Sequence, residues 1–334
     1  MTTSMLDEKL SILIRETLDD TGGRTYSNAS PDIIVRKNKF DEEDLAKIFT
    51  KTYSQDISLE SDDSGTMYLY VRFKNMSDQP LTNFYIHLYR NHLGLSNRPS
   101  DWSDSEMYTK AKTAAHIEYL GAGKIGATPA FVYQKGTGAH PNCFVAVATR
   151  EAKPDYASIS DAAKYIQWVN KNNVAARNVR VIPGQSGIYT ATVYLDNPSM
   201  EQKRWMLLKV NIEGKTPSGI NYGVRQPALG INERRTYIKG DSAASLIACD
   251  FLMEPGTQYP FDIWFEASEK DRSLIKCTSR FYSIYEGNAN PVLNQYLVDL
   301  HTGLAIPDGA ENLSGTSACG YLLGCCYFKG SDVR

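Results

Sequence analysis

Three stretches of the chain bring together residue types that could do chemistry. Gly121-Ala122-Gly123-Lys124 has the glycine-rich turn and lysine of a phosphate loop, in which backbone N–H groups cradle phosphate. Such a loop needs a glycine where Glu118 stands and a serine or threonine where Ile125 stands, so no nucleotide site is expected. His140 and Cys143 could act as base and nucleophile. Three residues apart at the start of a strand they point in different directions, however, and no third residue is identifiable to orient the imidazole. Cys319, Cys325, Cys326 and His301 carry metal-ligating atoms, but adjacent cysteines seldom converge on one tetrahedral zinc and the Cys-x-x-Cys knuckle is missing. The carboxylates of Asp41 to Asp44 and Glu60 to Asp63 lack the spacing of a calcium loop and read as solvated acidic segments. Asn28-Ala29-Ser30, Asn75-Met76-Ser77 and Asn312-Leu313-Ser314 match the glycosylation sequon; with no secretion signal ahead of them they read as chance matches. No catalytic residue, cofactor or metal site is therefore expected.

Composition narrows the classes further. The 36 basic and 38 acidic side chains leave a net charge of -2, which gives no excess to hold a polyanion or an acidic membrane surface, so nucleic acid is not an expected partner. No apolar run of about 18 residues is present, so no membrane insertion is expected. Charged Asp7, Glu8, Glu16, Asp19 and Asp20 occupy the stretch where a signal peptide would need an uncharged core. Synthesis in the cytoplasm is expected, and the six cysteines, mostly inside apolar runs, read as reduced core residues. The 21 tyrosines against 11 phenylalanines ask many rings to be apolar on one side and wet on the other, which suits interfaces.

The elements that must position these residues are mostly strands. Met67, Leu69, Val71 and Phe73 alternate with Tyr68, Tyr70, Arg72 and Lys74, and Phe84, Ile86 and Leu88 alternate with Tyr85, His87 and Tyr89. Turn residues at Asn75 to Pro80 predict that these two strands pair antiparallel. Their outward face would gather Tyr68, Tyr70, Tyr85, His87 and Tyr89, either covered by the acidic insertion Phe40 to Ser64 or a partner, or held by simple cross-strand ring packing. Phe144 to Ala148 reads as a strand buried on both faces, and Ser158 to Asn170 as a capped helix. Asn172, Asn173 and Asn178 read as amides bonded to backbone at helix exit and strand start. Asn91 to Tyr119, which includes Trp102, reads as a loop. Alternation resumes in Gly187 to Asp196 and Arg204 to Ile212, with Asn197-Pro198 as the turn; Glu213 to Gly240 reads as a loop. Strand-like runs return in Ala244 to Met253, Pro260 to Ala267 and Ser273 to Tyr285. At the N-terminus Leu6, Leu10, Leu13 and Leu18 follow a helical stripe, which predicts a helix from about Thr3 to Leu18 on a polar tether.

Pro31-Asp32-Ile33-Ile34-Val35-Arg36, Tyr68-Leu69-Tyr70-Val71-Arg72-Phe73-Lys74-Asn75, His140-Pro141-Asn142-Cys143-Phe144-Val145-Ala146-Val147 and Asn172-Asn173-Val174-Ala175-Ala176-Arg177-Asn178-Val179 occur in an order that resembles immunoglobulin-like β-sandwich modules of bacteria. In those a His-x-Cys-Leu strand precedes an Asn-Asn-x-Ala-x-Arg-Asn segment; here Pro141 and Asn142 separate His140 from Cys143, and Phe144 takes the leucine position. The resemblance spans about Pro31 to Ile182 and implies a scaffold or adhesive sandwich, as in modules of extracellular hydrolases and of bacterial and phage particle proteins. The expected fold is mainly β: two tandem antiparallel Ig-like β-sandwich domains at 31–183 and 184–286, an N-terminal helical arm and tether at 1–30, and a C-terminal extension at 287–334. The expected role is non-catalytic: a subunit of an assembly such as a phage tail or baseplate or contractile injection particle. Its partners would be other subunits, in homo-oligomeric contacts through Tyr68, Tyr70, Tyr85, His87, Tyr89, Trp102, Leu6, Leu10 and Leu13. The alternative is a carbohydrate- or cell-surface-binding accessory or effector protein.

Overall fold

The computed structural model describes residues 10–22, 29–58, 65–92, 106–110, 114–135, 142–156, 159, 162–179, 184–185, 187–213, 216–272, 274–285, 296–300 and 319–329. They fall in two compact units, one drawn from Met1–His92, Pro99–Ser160 and Trp168–Arg180, the other from Leu93–Arg98, Asp161–Gln167 and Val181–Arg334. Both are built of antiparallel sheets.

The first unit contains β1 (Ile12–Leu13), β2 (Ile33–Arg36), α1 (Leu45–Lys51), β3 (Gly65–Asn75), β4 (Leu81–His92), β5 (Glu106–Met107), β6 (Ala115–Leu120), β7 (Ile125–Ala127), β8 (Phe131–Lys135) and β9 (Asn142–Thr149). α2 (Ala162–Val169), whose residues divide between the units, leads into β10 (Val174–Val179). One sheet runs β1-β3-β2 with β7 and β8 also on the long β3; the other runs β10-β9-β4-β5 with β6 on β4. Met67, Leu69, Val71 and Phe73 of β3 share one buried cluster with Phe84, Ile86 and Leu88 of β4 and Phe144, Ala146 and Ala148 of β9. Phe73 meets Phe84 edge-on with centroids 5.8 Å apart, so the two sheets pack face to face as a sandwich. A smaller cluster of Ile34, Leu45, Phe49, Tyr70 and Ala130 lies on the far side of the β3 sheet, beneath α1.

The second unit contains β11 (Gly184–Gln185), β12 (Ile188–Asp196), β13 (Arg204–Ile212), β14 (Asn221–Gln226), β15 (Ile231–Thr236), β16 (Leu246–Met253), β17 (Gln258–Glu266), α3 (Glu269–Arg272), β18 (Lys276–Ile284), β19 (Leu297–Asp299) and β20 (Cys319–Lys329). Its sheets run β11-β12-β17-β14-β15 and β16-β13-β18-β20-β19. Tyr189, Ala191, Val193 and Leu195 are buried on β12, and Met206, Leu208, Val210 and Ile212 on β13, at the period of two expected from their spacing. Phe251 of β16 and Phe261 of β17 bring rings of the two sheets to 4.9 Å, again face to face.

The same wiring recurs in both units. β3 pairs β7, β4 pairs β6 and β9, and β9 pairs β10; β12 pairs β17, β13 pairs β16 and β18, and β18 pairs β20. An asparagine secures the same place in each. Asn75 Nδ2 donates to the carbonyls of Gln79, Leu120 and Gly121, and its Oδ1 accepts from Ser77 N. Asn197 Nδ2 donates to the carbonyls of Gln202, Met253 and Glu254, and its Oδ1 accepts from Ser199 N. Asn75 N and Asn197 N reach Lys124 O and Thr257 O, each at 3.0 Å. The turns they grip hold Gly123 and Gly256 at φ of 66 and 62, a left-handed conformation that suits glycine.

Several expectations are corrected. Residues 10–22 contain no helix; β1 pairs with β3, and Leu10, Ile12 and Ile14 enter the core of the first unit. The leucine stripe misled because Leu10, Ile12 and Ile14 also repeat every second position, and the sheet offers that face a partner. Leu6 lies outside the described residues. β3 and β4, expected to pair, belong to opposite sheets, because the turn held by Asn75 crosses the sandwich. Strands also occupy two expected loops: β5 and most of β6 in Asn91 to Tyr119, and β14 and β15 in Glu213 to Gly240. The apolar C-terminal stretch enters the second unit as β20, between β18 and β19.

Candidate functional site

The Tyr- and His-bearing face of β4 points away from the core, as its alternation requires. His87 stacks on Tyr89 with centroids 6.0 Å apart, and Tyr85 lies 4.9 Å from His116. Tyr156 caps the row: its ring meets Tyr89 edge-on at 5.4 Å and its hydroxyl donates to Tyr89 at 3.0 Å. Burial pushes the Tyr89 phenol well up, against the pull of that hydrogen bond. His87 Nδ1 lies 2.7 Å from Glu106 Oε1 and Nε2 lies 3.0 Å from the Glu151 carbonyl. Both ring nitrogens face acceptors, so this buried imidazole has none left for a substrate proton.

The residues expected to form an interface are therefore mostly interior. His87 and Tyr89 are covered from within the first unit, and Tyr70 is packed by Phe49 and Phe40 of the acidic insertion. Tyr68 is half-buried against the same cluster. Leu10 and Leu13 are buried, Tyr85 is half-buried, and Trp102 lies outside the described residues. As an interface, the set is reduced to Tyr68 and Tyr85 among the described residues. The insertion covers the β3 part of the set, where Tyr70 Oη accepts from Phe40 N at 2.8 Å while its ring is desolvated; on β4, in the opposite sheet, Tyr85, His87 and Tyr89 pack ring against ring.

A buried charge cluster was not expected. Asp32, fully buried, accepts from Arg15 N, Nε and Nη2 at 2.9, 3.0 and 2.8 Å, and from Arg72 Nε at 2.6 Å. Arg72 also donates to the carbonyls of Thr52, Pro31 and Gln55, and Arg15 to that of Tyr53. The Arg15 guanidinium sits 3.5 Å above the Tyr53 ring, whose hydroxyl has no partner among the described residues and whose pKa burial pushes up to about 12. Arg177 continues the network to Asp56 and to the Ser30 carbonyl. Each guanidinium is tied to a carboxylate and to backbone carbonyls, which is the arrangement of a brace between chain segments. Asn172 and Asn173 bond to the carbonyls of Gly22 and Ala148, in keeping with their structural reading.

The other candidates dissolve in the same way. Cys143, Cys249, Cys277, Cys319 and Cys325 are buried. Burial pushes Cys249 up to about 12, Cys277 well above the thiol range, and Cys319 upward, which suppresses the thiolate that nucleophilic attack requires. His140 and His301 lie outside the described residues. Among the described residues no three His, Cys, Asp or Glu side chains are grouped to hold a metal ion. Gly121 to Lys124 form a turn between strands, without the following helix of a phosphate loop.

No family model and no curated protein matches the chain. Similar solved structures include the collagen adhesin CNA from S. aureus, with a TM-score of 0.20 at 9% identity over 80% of this chain and 90% of that one. Red sea bream transglutaminase gives 0.18 at 9% identity over 72% and 31%, and the Enterococcus faecalis MSCRAMM ACE 0.21 at 6% over 68% and 86%. Likenesses at these TM-scores carry no argument about fold or function, and the chain is assigned to no family.

Proposed function

We propose that this chain is a non-catalytic subunit that works through protein–protein contacts in a larger assembly, of the kind found in a phage tail or baseplate or contractile injection particle. The reading rests on one contrast. His87, Asp32 and the described thiols, which have catalytic potential, are spent inside the fold: His87 on two acceptors, Asp32 on two arginines, the thiols on burial. Large apolar side chains meanwhile remain at the surface, and two of them are cross-strand neighbours, Trp205 at 44% and Leu252 at 40% exposure. They lie on β13 and on β16, which ends its sheet, where a second chain has access to both side chains and backbone. We read each unit as an Ig-like sandwich, a reading supported by the repeated pairing pattern.

The test is association of the purified full chain, followed by light scattering and native mass spectrometry across a concentration series. The expected result is a mass that rises above the monomer with concentration and returns to it in Leu252→Asp. A monomer at every concentration counts against the proposal.

A further inference from the structure

His87 is held by both ring nitrogens where water does not reach it. Nδ1 lies 2.7 Å from Glu106 Oε1 and Nε2 lies 3.0 Å from the Glu151 carbonyl, while the ring itself is fully buried on β4. A carbonyl and an ionised carboxylate only accept, and a neutral imidazole carries a single N–H. Two contacts of this length therefore need one proton more than a neutral ring beside an ionised carboxylate would hold. Imidazole is ordinarily a stronger base than a carboxylate, so the extra proton belongs on the ring. The clasp is an imidazolium that donates to Glu106 on one side and to the Glu151 carbonyl on the other.

What the proton fastens is set by the fold. Glu106 opens β5, which is two residues long and pairs with β4 only through Leu88↔Met107 and Tyr89↔Glu106. Glu151 follows β9, in a turn fixed by its own N–H donating to Thr149 Oγ1 at 3.1 Å. When the ring gives up its extra proton, one of the two contacts must set lone pair against lone pair. The Glu151 carbonyl is held by its turn, whereas the Glu106 side chain is 19% exposed and can swing to water, so the Glu106 contact is the one that breaks. The other titratable groups about the ring are Tyr85 and Tyr89 of β4, at 6.3 and 6.0 Å, His116 of β6 beside Tyr85, Tyr108 beside Glu106, and Tyr156 on Tyr89. Phenols ordinarily ionise near about pH 10. His116 is exposed, so of these groups only His87 would change charge away from water in the imidazole range. We infer that His87, Glu106 and the Glu151 carbonyl form a proton-operated fastening for β5, closed in acid and released as pH rises through the range in which imidazoles titrate. The sign follows from linkage: the closed form binds the extra proton, so acid favours it. The fastening is independent of the assembly reading.

The full chain is followed by hydrogen exchange, corrected for the intrinsic rate at each pH, at about pH 5.5 and about pH 8.5. The expected result is protection of β5 at the lower pH and exchange at least about tenfold faster at the higher, with the β9–β10 ladder unaffected. Glu106→Gln offers an amide N–H to Nδ1, so a neutral ring then satisfies both contacts; β5 stays protected and its pH response flattens. His116→Gln keeps the response. Nitrogen-15 NMR of the unmutated chain at the lower pH finds both His87 nitrogens protonated. Exchange at β5 that does not change with pH, a bare His87 nitrogen at the lower pH, or a pH response that Glu106→Gln leaves unchanged overturns the proposal, since the ring is then only packing.

Discussion

At the scale of single residues the Asp32 cluster governs what the first unit tolerates. Two guanidiniums share one carboxylate with no exposure to water, so removing its charge strands two cations in the interior. Asp32→Asn is expected to cost about 3–5 kcal/mol, measured by denaturant unfolding. Asp56→Asn removes the partner of Arg177 at a site where the carboxylate is 37% exposed and water screens the pair, and is expected to cost under about 1 kcal/mol. Equal losses in the two variants would show that the cluster has no special weight. None of this was legible in the sequence, because positions 15, 32 and 72 are distant in the chain and local periodicity placed Arg15 on a helix and Arg72 on an outer face. Only the long-range closure of β1 and β2 onto β3 brings them together. The buried thiols were legible, since their apolar neighbours already predict interior positions.

At the scale of elements, strands with one buried and one wet face announced themselves, and β13 spans Arg204–Ile212, the range its alternation predicts. The missed strands lack that contrast. β15 is exposed along nearly all its length, and β14 carries Gly223 at its centre, so neither shows an apolar period. The pairing of β3 with β4 was misread for a different reason: turn residues specify a change of direction but not whether the chain returns to the same sheet. Asn75 and Asn197 make that choice by tying a sheet-crossing turn to a second crossing turn far along the chain. Asn75→Ala and Asn197→Ala each remove a donor that three carbonyls share and are expected to cost about 1–3 kcal/mol. Hydrogen exchange should then rise in the β3–β4 and β6–β7 turns for the first variant and in the β12–β13 and β16–β17 turns for the second. Faster exchange in the unmutated unit would break the equivalence of the two brackets.

At the scale of the whole molecule, both units carry buried phenols, and this fixes how the protein responds to alkali. Burial raises Tyr53 in the first unit, and Tyr282, Tyr321 and Cys249 in the second, to about 12. Tyr89 and Tyr222 are pushed up as well, again chiefly by burial. For an acid whose folded pKa is raised, the folded chain holds its proton while the unfolded chain releases it. The stabilisation is therefore complete below the unfolded value, 10.0 for tyrosine, and is lost as pH rises from there toward 12. Because such groups lie in both units, neither is expected to survive alkali much longer than the other. Circular dichroism and phenolate absorbance recorded together should show late, coincident transitions, with part of the tyrosine signal delayed until structure is lost. Full phenolate absorbance near pH 10 with the circular dichroism unchanged would mean that these rings are open to water, and the burial described for them in both units would have to be abandoned.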